Sequence, residues 1–281
     1  MTRVLSALVL IPVVVATIWF LPPYGTLLLA LAAAVLAFVE YRTIAHALGA
    51  HVDAGIGGTA VVLTCITTAA AGMTESVFSF TGEPLQPTGD NAVYLVFMAA
   101  LIVVGGLAVG GMRPGRDVLA SVAATLFAPI YLGLPLGALA GVRNWPGIGR
   151  ELILLLFAVI VVSDSAQYYT GRAFGRRPLA PAISPKKTVE GAIGGVLFGT
   201  CAMAAGGHYV LPSPIWMLAL AGAVVSLLGI VGDLFESLLK RSAGIKDSSN
   251  LIPGHGGVLD RIDSWLFAAP VYYIFIRFVA V

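Results

Sequence analysis

The stretch ELILLLFAVIVVSDSAQYYTGR, residues 151–172, is an apolar run long enough to cross a bilayer that closes on a carboxylate, two tyrosines and an arginine. About 20 apolar residues suffice to span the hydrocarbon as a helix. The run therefore predicts a transmembrane helix whose charged end reaches one headgroup layer. Asp164 sits near that end, where a charge costs a few kcal/mol unless it is paired or hydrated.

Similar runs recur on both sides of it. Gly, Pro and charge clusters punctuate about nine of them, near 4–20, 25–48, 55–73, 92–111, 117–141, 151–172, 189–210, 214–241 and 258–279. With 58% hydrophobic and only 11% charged residues and a mean hydropathy of +0.95, the chain has too little polar surface for a soluble globule. The fold class expected is all-α, a polytopic transmembrane helical bundle. The first run reads as a retained span rather than a signal peptide. Cys65 and Cys201 lie far apart inside apolar runs, which suggests neither a disulfide framework nor a CxxC site. A formal net charge of +2 gives no argument for nucleic acid.

Basic residues orient the bundle, because positive charge is retained on the cytoplasmic side. With the N-terminus inside, Arg3, Arg42, Arg113, Arg116, Arg172, Arg176, Arg177, Lys186, Lys187, Lys240, Arg241, Lys246 and Arg261 are cytoplasmic, 13 of the 16 Lys and Arg residues. Arg143, Arg150 and Arg277 fall outside, as does the connection holding Glu75, Glu83 and Asp90. Residues 1–150 read as membrane scaffold helices. Residues 151–281 carry ten basic and eight acidic residues, crowded around two inside loops, and read as the catalytic part of one continuous membrane unit.

The first of these loops contains Ser184-Pro185-Lys186-Lys187-Thr188-Val189-Glu190-Gly191. Ser184 or Thr188 could cap the next helix, with Glu190 complementing its positive end. Two lysines at such a terminus suit a phosphate, or equally an anchor to anionic headgroups. Gly191, Gly195 and Gly199, four apart, face one way and suit close helix packing or a homodimer rather than a nucleotide loop.

The second loop follows a helix in which Asp233, Ser237 and Lys240 share a face, at i, i+4 and i+7, with Glu236 alongside. Carboxylate and hydroxyl oxygens are the ligands Mg²⁺ prefers, completed by water and phosphate. Asp260 and Asp263, three apart, open the last helix behind Gly254, Gly256 and Gly257, which let amides approach an anion.

From Ser237 through Lys240-Arg241, Lys246-Asp247-Ser248-Ser249 and Pro253-Gly254-His255-Gly256-Gly257 to Asp260-Arg261-Ile262-Asp263, the pattern resembles the 27-residue signature of the phosphatidate cytidylyltransferase family. The 184–191 segment and the Asp164 to Tyr168 stretch are also similar to that family. Val189 departs from it where an aromatic residue is common, and Gln167 where a small one is.

The resemblance implies a Mg²⁺-dependent transfer, with room for a second cation, that joins CTP to phosphatidic acid in the bilayer and releases pyrophosphate. It implies Asp233 and Asp260 as metal ligands and Asp263 as an acidic neighbour orienting the metal shell. Lys240, Arg241 and Lys246 would meet phosphate charge, with Asp247 in the same catalytic segment. Ser184, Lys186 and Lys187 would hold the lipid headgroup or the CTP tail, and Ser237, His255, Gly256, Gly257 and Arg261 would line the substrate site. It also places the enzyme in the inner or plasma membrane with its site facing the cytoplasm. The rival readings are a CTP-using lipid kinase or a cytidylyltransferase acting on a different lipid phosphate or alcohol, and a secondary transporter binding ions at Asp164, Asp233 and Asp260. The crowding of charge at one face, without a detected internal repeat, weighs against the transporter.

Overall fold

A computed structural model describes residues 2–71, 77–78, 84–85, 89–111, 115, 117–249, 251 and 256–277. His255, Gly254, Pro253, Arg113, Arg116, Glu75 and Glu83 lie outside the described residues. Among the described residues there are nine helices: α1 (Thr2–Phe20), α2 (Pro23–Ala47), α3 (Ala54–Ala70), α4 (Gly89–Gly111), α5 (Val118–Arg143), α6 (Gly149–Phe174), α7 (Val189–Val210), α8 (Ile215–Ser242) and α9 (Leu259–Phe275). Two short antiparallel pairs interrupt them, β1 (Val77–Phe78) with β2 (Pro84–Leu85) and β3 (Pro178–Ala180) with β4 (Ser184–Thr188). The fold is all-α and built for a membrane: six helices, in α2, α4, α5, α6, α7 and α8, are long and apolar enough to cross one, while Ile11–Phe20 and Ala54–Ala70 are shorter apolar helices.

Local chemistry sets the helix ends. Pro23 occupies the first turn of α2, where its missing N–H costs nothing. Asp53 caps α3 by accepting from the Ile56 amide at 2.7 Å. Of the two candidates for capping α7, Thr188 does so, accepting from the Gly191 amide at 3.1 Å. Within α5, Pro129–Gly133 form a π-helical turn, a local rearrangement that fits a proline unable to donate to the preceding turn. At the far end of that helix the buried Arg143 donates to the carbonyls of Ile18 at 3.2 Å and Leu21 at 3.0 Å, satisfying the last turn of α1.

Two apolar clusters hold the bundle. One joins α6, α7, α8 and α9 through Leu156, Val159, Met203, Leu218, Val225 and Tyr272. The other joins α2, α3, α5 and the start of α9 through Phe38, Tyr41, Val61, Leu132, Leu136 and Leu259. Helix α9 belongs to both, so its N-terminus is fixed between the two halves of the chain.

The glycine stripe on α7 is consumed by this internal packing. A Cβ on Gly195 would come within 3.1 Å of the Ser163 carbonyl, and one on Gly199 would run into Ser226 of α8 and Ser163 of α6. Both neighbours belong to this chain, so these two positions leave no room for a second copy.

Candidate active site

Helices α6, α8 and α9 meet around a polar cavity of about 310 Å³ lined by Asp164, Asp233, Lys240, Asp247, Asp260, Arg261, Asp263, Ser264 and Trp265. The helical spacing that put Asp233 and Lys240 on one face of α8, and Asp260 and Asp263 on one face of α9, turns both faces inward. Their approach depends on Gly232: a Cβ there would meet the carbonyl of Asp263 at 2.5 Å. Any larger residue would separate the two carboxylate-bearing helices.

Lys240 is 8% exposed and pairs with two carboxylates, Glu236 one turn back on α8 and Asp260 on α9. Glu236 is fully buried. Burying such charges is tolerable only because they are paired. Asp260 is further fixed by the amides of Gly257 at 2.8 Å and Ser248 at 3.0 Å. Gly256 has φ +81, and a Cβ at that position would meet Asp260 Oδ2 at 2.5 Å, so the turn before α9 requires glycine there.

The hairpin formed by β3 and β4 lies across the end of α6. Successive strand residues point to opposite faces, and Lys187 pairs with Asp233 whereas Lys186 is exposed. Glu190 accepts from the amides of Arg176 at 3.0 Å and Arg177 at 3.2 Å, tying the loop after α6 to the first turn of α7.

The residues implied by the sequence divide into those the cavity gathers and those set around it. Asp233, Lys240, Asp247, Asp260, Arg261 and Asp263 line the cavity, with Lys187 paired to one of them. Ser237 donates to Asp233 at 3.5 Å from one turn behind. Arg241 is exposed and donates to the Ile183 carbonyl at 3.4 Å, linking α8 to the hairpin, and Lys246, Ser184 and Lys186 are not on the cavity wall. The Gly257 amide does approach an anion, but that anion is Asp260 itself.

Four contributors were not assigned from sequence. Asp164, placed by sequence only near the end of an apolar run, faces the cavity. Glu236 lies beside the polar face of α8, and its complete burial, which helical spacing alone does not reveal, is what calls for the Lys240 partner. Ser248, one serine of the signature stretch, is buried, with Oγ 2.9 Å from both Asp260 and Glu40. Glu40 of α2 gave only the signal of a single carboxylate in a long apolar run.

Among the described residues no three His, Cys, Asp or Glu side chains gather closely enough to enclose a metal ion. The donors present are nevertheless all oxygens. A hard cation held by one or two carboxylates, with water and substrate phosphate completing its shell, is compatible with this wall.

Fold and site together define a multi-pass membrane protein with an acidic, lysine-paired cavity. The model of the Cytidylyltransferase family matches residues 1–279, and with it the chain belongs to the phosphatidate cytidylyltransferase family. It is 37% identical over 218 residues to a phosphatidate cytidylyltransferase of Synechocystis, covering 73% of this chain and 71% of that protein. Relatives of the same name from Aquifex aeolicus (46% over 127 residues) and Bacillus subtilis (43% over 148 residues) are matched over 48% and 55% of their lengths and over 45% and 52% of this chain. The chain thus spans about half the length of those two relatives.

Proposed function

We propose that this protein converts CTP and phosphatidic acid to CDP-diacylglycerol and pyrophosphate at the cavity between α6, α8 and α9. The observation that carries the reading is the convergence of Asp164, Asp233, Asp260 and Asp263 with Lys240 and Arg261 on one wall. Family membership and the names of the relatives supply the substrate class.

An anionic oxygen of the lipid phosphate attacks the α-phosphorus of CTP. The new P–O bond forms as the bond to the bridging oxygen of the β-phosphate breaks, and pyrophosphate leaves. No general base is needed, because the attacking group is already ionised near neutral pH. Such a displacement is accelerated mainly by alignment and by neutralising charge. Asp233 and Asp260 would hold a Mg²⁺ ion, with Asp263 and Asp164 orienting water beside it. When bound, that ion supplies charge neutralisation at the triphosphate.

The protein's own groups do the rest. Arg261 on the wall, with Arg241 and Lys246 at its approach, attracts phosphate. Lys240, held by Glu236, orients Asp260. Lys187, on the hairpin, orients Asp233 from the side on which a lipid headgroup would enter. The site opens at the level of the cytoplasmic headgroups of the inner membrane, the one plane where a soluble nucleotide and a bilayer-held phosphate meet.

Purified protein supplied with α-labelled CTP and phosphatidic acid tests the reading. Label should enter the organic phase, with release of pyrophosphate, only with Mg²⁺ and not in Asp260→Asn. Release of CDP would identify a lipid kinase instead. No chemistry on CTP would leave the transporter, and equal labelling by wild type and variant would remove Asp260 from the mechanism.

A further inference from the structure

We infer that Glu40, in the chain's N-terminal half, is a positioning residue for the active site, holding Ser248, Ser249 and the start of α9 where they frame Asp260. The inference rests on the nucleotidyl-transfer reading for what that site does, but its geometry does not depend on it.

Glu40 is 4% exposed and lies on α2, a helix whose other buried residues include Ala37, Phe38, Tyr41 and Ile44. Its carboxylate accepts four hydrogen bonds, all from residues more than 200 positions later. Oε2 accepts from the Leu259 amide at 2.8 Å and from Ser248 Oγ at 2.9 Å; Oε1 accepts from the Val258 amide at 3.0 Å and Ser249 Oγ at 2.7 Å. Two of these donors are the amides of Val258, the N-cap residue of α9, and of Leu259, its first residue, so Glu40 acts as a cap supplied by another helix. The other two are the hydroxyls that follow Asp247.

Ser248 makes the connection to the chemistry. Its Oγ lies 2.9 Å from Glu40 and 2.9 Å from Asp260 Oδ2, and its amide donates to the same Asp260 oxygen. One hydroxyl hydrogen serves two carboxylates, so the position of Asp260 is set jointly with that of Glu40. Gly257 passes directly over both: a Cβ there would collide with Ser248 Oγ and the Glu40 carboxylate. Ser248, Ser249 and Gly257 are thus drawn onto Glu40, and the carboxylate that faces Lys240 is aimed by it. A buried carboxylate costs too much to be retained as filling, and here its whole hydrogen-bonding capacity is spent on these donors.

The test uses the full chain with Glu40→Gln, which keeps the size but turns an amide group toward these donors, and Glu40→Asp, which keeps the charge. In metal-free protein, hydrogen exchange at Val258 and Leu259 should rise about tenfold in Glu40→Gln, with α6 and α7 unchanged. In the label-transfer assay the half-saturating Mg²⁺ concentration should rise about fivefold and kcat fall about tenfold, Glu40→Asp lying between the two. A purely structural role would lower the melting temperature and leave the Mg²⁺ requirement of the folded protein where it was. Wild-type exchange at 258–259 together with wild-type Mg²⁺ dependence in Glu40→Gln overturns the inference. Should that variant fail to fold, Ser249→Ala removes one loop donor instead, and unchanged exchange at 258–259 in it has the same meaning. Failure of the wild type to label lipid would sink the nucleotidyl-transfer reading alone, since the exchange experiment needs no turnover.

Discussion

Lys187 on the hairpin strand forms an ion pair with Asp233 on α8, 46 residues later, and so joins two segments that look independent along the chain. If the lysine orients this carboxylate for catalysis, the two act as a unit. Lys187→Met and Asp233→Asn should each lower lipid labelling by about a hundredfold, and the double variant should be no worse than the poorer single. Independent, multiplying losses would separate them. Lys186→Met, on the exposed face of the same strand, should cost less than about threefold, because an exposed charge is screened by water.

Lys240 sits between Glu236 and Asp260 and is the shared counter-charge of both. Lys240→Met would leave two carboxylates facing each other without it. Breaking a buried pair in this way destabilises by about 3–5 kcal/mol, whereas replacing the pair by apolar residues is often neutral. Melting in detergent should therefore show a large loss for Lys240→Met and recovery of most of it in Lys240→Met/Glu236→Leu, with activity absent from both. No recovery in the double variant would mean that Glu236 is not the source of the penalty.

What was legible in the sequence followed short-range periodicity. Apolar runs separated by turn residues match the bounds of the nine helices among the described residues, six of which are long and apolar enough to cross a membrane, and i, i+4, i+7 spacing puts Asp233, Ser237 and Lys240 on one face. The contributions of Glu40, Ser248 and Glu236 were not legible, because each depends on a partner brought close only by tertiary packing. Glu40 and Leu259 are 219 residues apart, and nothing local to either announces the contact. Lys240 shows the reverse difficulty. A lysine beside a phosphate site suggests a phosphate ligand, yet here it is committed to two carboxylates. The glycines before α9 suggest amides approaching a bound anion, whereas the Gly257 amide goes to Asp260.

The α7 glycines offer a test of packing without chemistry. Gly199 has Ser226 and Ser163 against it, whereas a Cβ on Gly105 of α4 would meet nothing within 4 Å. Overpacking costs about 1–3 kcal/mol, while relieving a helical glycine gains up to about 1 kcal/mol. Gly199→Ala should lower the melting temperature and Gly105→Ala should leave it unchanged or raise it. Equal effects would mean that α7 does not pack against α6 and α8 as described.

Orientation is the last consequence, and it follows from where the helices start and stop. Helix α6 begins at Gly149 beside Arg150, passes the cavity at Asp164 and continues past Arg172 to Phe174, α8 passes it at Asp233 and Lys240 before ending at Ser242, and α9 starts beside it and runs away toward Arg277. Basic residues therefore crowd the cavity end, the end the positive-inside rule assigns to the cytoplasm. Cys201 is exposed and Cys65 buried, so Cys201→Ala leaves one shielded thiol as background. On that background Ser242→Cys, at the cavity end, should react with an impermeant maleimide only in inverted membranes. Pro146→Cys, at the opposite end, should react only in right-side-out ones. The reverse pattern would put the cavity on the side without CTP, where the proposed reaction has no nucleotide to use.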